Sequence, residues 1–120
     1  MFVRDYRRCR EITAGDGTRL RELFNPLKDD IELDYSFAIA RLAPGEASIL
    51  HRLKSSEIYY VLVGEGEIHI GGDQAEIRPG QTIYVPPNAA QRVKNTGDVD
   101  LAFICIVNPA WKTEDEEILE

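Results

Sequence analysis

Cysteine is scarce: Cys9 and Cys105 are the only two, they stand far apart, and neither lies in a CxxC or Cys/His cluster. A disulfide framework or a zinc knuckle is therefore not expected. Cys105, inside the run LAFICIV, reads as a small buried hydrophobe. The chain also lacks any apolar run near the roughly 20 residues that a membrane helix requires, so a membrane is not an expected partner. Its opening residues, MFVRDYRRCREI, are basic but have no apolar segment behind them and no small-residue cleavage site. They set the expectation of a cytoplasmic protein. Positive charge is in the minority, with 14 Lys and Arg against 21 Asp and Glu and a net charge of −7. Such a field repels phosphate backbones, which argues against nucleic acid as a partner. The local exception, Arg4, Arg7, Arg8 and Arg10 with Arg19 and Arg21 further on, reads as a solvated strand face pairing with acidic neighbours. Missing too are a GxSxG elbow, a Walker loop and a GxGxxG between strand and helix.

What is present fits one domain: 120 residues, 43% hydrophobic and 29% charged. From Tyr35 onward short β-rich runs follow one another, YSFAIARL, ASILHRL, EIYYVLV, EIHI, AEI, TIYV, QRVK and DLAFICIV. Gly-, Pro-, Asn- and Asp-bearing segments separate them, and these residues supply the backbone angles of tight turns. No sustained 3.6-residue period appears and no gap is long enough for a crossover helix. The fold class is all-β, an antiparallel sandwich or barrel over about residues 35–107. Residues 1–34 form an amino-terminal arm in which GTRLRELFNPLKDD fits a short amphipathic helix or, the preferred reading, an extended strand broken at Asn25-Pro26. Residues 108–120 are strongly acidic and read as a short helix or tail whose start Trp111 anchors against the barrel.

One constellation carries chemistry. Gly45, His51, Glu57 and Gly64 fall at the spacings of G-x5-H-x-H-x3/4-E-x6-G, with Leu53 where the second histidine would stand. Gly80, Pro86 and Asn95 match G-x5-P-x-G-x2-H-x3-N, with Asn88 for its glycine and Gln91 for its histidine. In these residues the chain resembles the cupin superfamily, of the small single-domain kind, which implies a jelly-roll-like double-stranded β-helix. The resemblance implies a divalent metal ion held at the positions of His51, Glu57 and Gln91, and in relatives of this size a homodimer formed through an outer sheet face with exchanged amino-terminal strands. An arm such as residues 2–12 would suit that exchange, covering a sheet edge.

The donor chemistry pulls the other way. One imidazole, one carboxylate and one neutral amide make a poor shell for a borderline cation, and Leu53 adds nothing. The competing reading is a polar cluster in which His51, Glu57 and Gln91 satisfy one another. A concave apolar pocket with converging polar groups is also the ordinary small-molecule site. Strand alternation places Tyr59 and Val61 on the face of Glu57, with Ile58, Tyr60 and Leu62 on the other. Tyr59 then stands as a ligand hydrogen-bond donor or as a core aromatic. His69 in EIHI lies opposite Ile68 and Ile70, and because the resemblance implies aliphatic residues turned inward on this strand, His69 is expected outward.

The leading expectation is a protein that binds a sugar or other polar metabolite at His51, Glu57, Tyr59 and Gln91, with a degenerate metal site. The alternatives are a metal-dependent enzyme of isomerase or epimerase type, with His51 or Glu57 shuttling a proton, a dioxygenase, and a purely structural role. Leu53 and Gln91 speak against the dioxygenase, whose ion usually relies on histidine ligands.

Overall fold

A computed structural model describes all 120 residues as two facing antiparallel sheets. The strands are β1 (Ile12–Thr13), β2 (Arg19–Phe24), β3 (Ser36–Leu42), β4 (His51–Leu53), β5 (Ser56–Val63), β6 (Gly66–Ile70), β7 (Asp73–Ile77), β8 (Thr82–Val85), β9 (Gln91–Asn95), β10 (Leu101–Asn108) and β11 (Glu116–Ile118). One sheet runs β1-β2-β3-β10-β5-β8 and the other β11-β4-β9-β6-β7. The only helical pieces are single 3-10 turns at Tyr6–Arg8 and Thr113–Asp115.

Alternation decides what fills the space between the sheets. Along β3, Ser36, Ala38, Ala40 and Leu42 are buried; along β10, Leu101, Phe103, Cys105 and Val107 are. Along β5 the buried set is Glu57, Tyr59 and Val61, while Ile58, Tyr60 and Leu62 are exposed, because successive side chains leave a strand on opposite faces. Register then sorts polarity along the barrel. At one end Leu42 faces Leu101 across β3 and β10, and Phe103 faces Val61 across β10 and β5. At the other Glu57 lies beside Val107 and His51 pairs with Gln91.

Two motif positions have structural roles. Gly64 adopts φ +87° and a Cβ there would meet the Asp100 carbonyl oxygen at 2.5 Å, so only glycine fits. Asn88, in place of the motif glycine, keeps φ at +66°, a left-handed conformation that asparagine tolerates better than other side chains. Asn95 is buried and fully bonded: its Nδ2 donates to the carbonyls of Leu42 (2.9 Å) and Val99 (2.8 Å), and its Oδ1 accepts from Gly97 N–H.

The terminal segments join the sheets. Strand β2 pairs with β3, ending at Phe24, and β1 pairs back on β2. Phe2 packs edge-to-face on Phe24, with the Arg4 guanidinium 4.7 Å from the Phe2 ring and paired to Asp29. Arg7 and Arg19 also pair, with Asp5 and Glu46. The acidic carboxyl end forms no α-helix. After the Thr113–Asp115 turn, β11 pairs antiparallel with β4 across Glu116–Leu53, Glu117–Arg52 and Ile118–His51. The cause is the short β4, whose free edge would leave backbone groups unpaired; an isolated helix there would satisfy none of them. Trp111 secures the start of this strap, donating its N–H to Ser36 Oγ at 2.9 Å while its carbonyl accepts from buried Asn25 Nδ2 at 3.0 Å. No helix of the chain is long and apolar enough to cross a membrane.

Candidate functional site

The polar end of the barrel opens into a cavity of about 50 Å3. Its polar wall includes Asp16, His51, Glu57, Tyr59 and Glu116, and Phe103, Val107 and Trp111 belong to its apolar wall. The floor is a hydrogen-bonded cluster. Gln91 Nε2 donates to Glu57 Oε1 at 3.0 Å, and the Tyr59 hydroxyl lies against both Glu57 Oε1, at 3.0 Å, and Gln91 Oε1. One phenolic proton cannot serve two acceptors at once. A protonated Glu57 removes the conflict, since its own O–H can donate to the Tyr59 oxygen while Tyr59 donates to Gln91. Burial favours the same state: it pushes Glu57 up to about 8, against the weaker opposing pull of the Gln91 and Tyr59 hydrogen bonds, with the charges of Asp16 and Glu116 adding to the rise. The same burial holds the Tyr59 phenol and the Cys105 thiol well above their ordinary ranges.

His51 is 2% exposed and lines the same cavity, but it turns away from this cluster. Its Nδ1 lies 2.7 Å from the Ile49 carbonyl, an acceptor only, so Nδ1 carries a proton. Nε2 faces Asp16 Oδ2 at 3.5 Å. The cluster of mutual satisfaction therefore closes through Tyr59 where the sequence suggested His51. Gln91 is 1% exposed and sits behind Glu57 and Tyr59 rather than on the cavity wall. His69 faces outward, its Nε2 2.6 Å from Glu67 Oε1, while Ile68 is in the core.

The donors do not fit a tightly held metal ion. Glu57 and Gln91 are engaged with each other and with Tyr59, His51 has one nitrogen committed to a carbonyl, and Leu53 fills the remaining motif position with carbon. No group of three or more His, Cys, Asp or Glu side chains is spaced for a metal ion.

Three wall residues lie outside anything motif spacing points to. Asp16 comes from the turn before β2, where its Oδ1 accepts from Thr18 N–H (3.0 Å) and Thr18 Oγ1 (2.8 Å); Asp16-Gly17 was the available signal, and it marks a turn, not a pocket. Trp111 and Glu116 arrive with the strap. Burial and the nearby Asp16 charge raise Glu116 above the usual carboxylate range.

The family model of the cupin domain matches residues 38–107. An uncharacterized protein of Methanocaldococcus jannaschii is 34% identical over 118 residues, spanning 97% of this chain and 93% of its own. An oxalate-binding protein of Thermotoga maritima is 35% identical over 72 residues, 59% of this chain and 60% of that protein. The crystal structure of a predicted oxalate decarboxylase from Thermotoga maritima superposes with a TM-score of 0.77 at 27% identity, covering 91% of this chain and 99% of the other. Motif spacing, two-sheet topology and these matches agree: the chain belongs to the cupin family.

Proposed function

We propose that this cupin binds a small polar metabolite in the barrel-end cavity without depending on a tightly held metal ion. His51, Glu57 and Tyr59 face the ligand, and Gln91 fixes the last two. The observation that carries the reading is the floor itself, where the motif's carboxylate is tied into a ring with Tyr59 and Gln91 beneath apolar walls. Converging polar groups in a concave apolar site are what recognition of a small ligand requires. The test is a thermal-shift screen of sugars, polyols, amines and small acids on the full chain. A ligand of the folded state raises Tm in proportion to its saturation. A shift that Tyr59→Phe reduces supports the reading, whereas shifts indifferent to Tyr59→Phe and His51→Ala contradict it.

A second reading has one observation behind it. A Glu57 held neutral near pH 7 by burial is poised as a general acid, the role an isomerase-like reaction would require. Interconversion of epimeric sugars by the purified chain, lost in Glu57→Gln, would support it.

We also propose that the chain works as a homodimer. The outer face of the six-stranded sheet aligns Phe37, Ile106, Ile58 and Tyr84 in one row and Ile39, Ile104 and Tyr60 in the next, an apolar surface suited to a second copy. Sedimentation should give a dimer that Tyr60→Glu dissociates; a monomer at all concentrations contradicts this.

A further inference from the structure

The cavity mouth differs from its floor. Asp16 Oδ2 and Glu116 have no Lys or Arg within 4.0 Å, unlike Glu22 on the same wall, which Lys28 neutralises at 2.8 Å. None of the sixteen lining residues is Lys or Arg, although the chain has fourteen of them. His51 adds a second, independent feature. Its Nδ1 proton is committed to Ile49, so in the neutral ring the buried Nε2 presents a lone pair into the cavity with no hydrogen bond of its own. At 3.5 Å from it stands Asp16 Oδ2, whose carboxylate partner oxygen already serves Thr18. In that form of the ring two acceptors face one space with no protein donor between them.

We propose that the cavity is selective for a small organic cation, an alkylammonium whose N–H groups bridge Asp16 Oδ2 and His51 Nε2 within reach of the Glu116 carboxylate. This rests on the small-molecule reading above and names the class of ligand. The amine supplies the missing donors, and its positive charge offsets two carboxylates drawn close together by the Asp16 turn and the strap. Its hydrocarbon part packs on Phe103, Val107 and Trp111, a wall that favours an amine on a carbon skeleton over a hydrated inorganic ion. A carboxylate ligand would meet repulsion at the same place, and an alcohol would bring one donor and no charge.

The experiment is calorimetric titration of the full chain with n-butylammonium, 1-butanol, butyrate and manganese chloride, each alone. The expected result is saturable binding of n-butylammonium, one per chain and at least about tenfold tighter than 1-butanol, in line with a charge-assisted hydrogen bond worth about 1.5–3 kcal/mol. Asp16→Asn, which keeps the Oδ1 acceptor for Thr18, should weaken it about tenfold on the same grounds. Glu116→Gln, further from the fold's interior, should weaken it less and serves if the first variant does not fold. Butyrate or 1-butanol binding as tightly as the amine overturns the cationic selectivity and leaves the small-molecule reading standing. Amine binding unchanged in both variants overturns the assignment to this mouth. Manganese binding as tightly as the amine or tighter, and weakened by Asp16→Asn, shows an inorganic cation site and overturns the organic ligand. Absence of binding by every probe, at high millimolar concentration, overturns the cationic selectivity and leaves the small-molecule reading to the thermal-shift screen.

Discussion

The two ends of this barrel are built from the same strands and do different things. At the closed end Leu42, Val61, Val93, Leu101 and Phe103 are 2% exposed or less and pack as carbon on carbon. A few residues along three of these strands, Ser36, Glu57 and Gln91, with His51 on β4, are also buried, at 6% exposed or less, but polar. Burial alone therefore separates nothing; what differs is how each end is satisfied. The closed end is satisfied by packing, which tolerates no void. The open end is satisfied at its floor by a hydrogen-bond ring that works best with Glu57 neutral, while at its mouth Asp16 Oδ2 stands 3.5 Å from His51 Nε2.

That contrast can be broken most severely at the closed end. Leu101→Ala, at a side chain with no exposure, should cost about 2–5 kcal/mol through lost transfer energy and a cavity, read as a lower urea midpoint at unchanged slope. At the open end the expected signature is pH dependence. Burial holds Glu57 protonated in the folded chain up to about 8, against an ordinary 4.5 for an unburied glutamate. Between those values the unfolded state holds fewer protons, so stability should fall as pH rises from about 4.5 to about 8 and should be fully present below that window. Glu57→Gln keeps the shape and removes the ionisation, so its stability should lose this slope; an unaltered slope would place the titrating group elsewhere. Tyr59→Phe should cost about 1 kcal/mol, the net worth of a neutral hydrogen bond, by the same denaturation measurement. At the smallest end, Arg78→Ala breaks an ion pair whose partners are 65% and 79% exposed and should change stability by no more than about 0.5 kcal/mol.

Much of this contrast is legible in the sequence, and the reasons are local. The period of two in EIYYVLV marks Glu57, Tyr59 and Val61 as one face, and the turn glycines delimit the strands. The cupin resemblance assigns His51 and Gln91 to one site, and the two stand opposite each other in β4 and β9. Asp16, Trp111 and Glu116 are not legible because they enter the cavity through contacts between the two chain ends and the barrel, which no local period encodes. The strap illustrates the same limit: its acidic run suggests a helix or a loose tail, yet the free edge of β4 dictates a strand. The partner of Glu57 is a third case, since rotamer choice turns His51 toward Ile49 and Asp16 and leaves Tyr59 to close the ring.

The central proposal is that, with Leu53 and Gln91 where the cupin motif has histidines, the barrel end is a polar floor that holds no metal ion tightly. Its most direct test is metal content of the purified full chain after exhaustive dialysis, measured beside the double variant Leu53→His with Gln91→His. The account predicts well under one transition-metal ion per native chain and an affinity raised by orders of magnitude in the variant, where two strong neutral donors return. One tightly held ion per native chain, or a variant that binds no better, would contradict it.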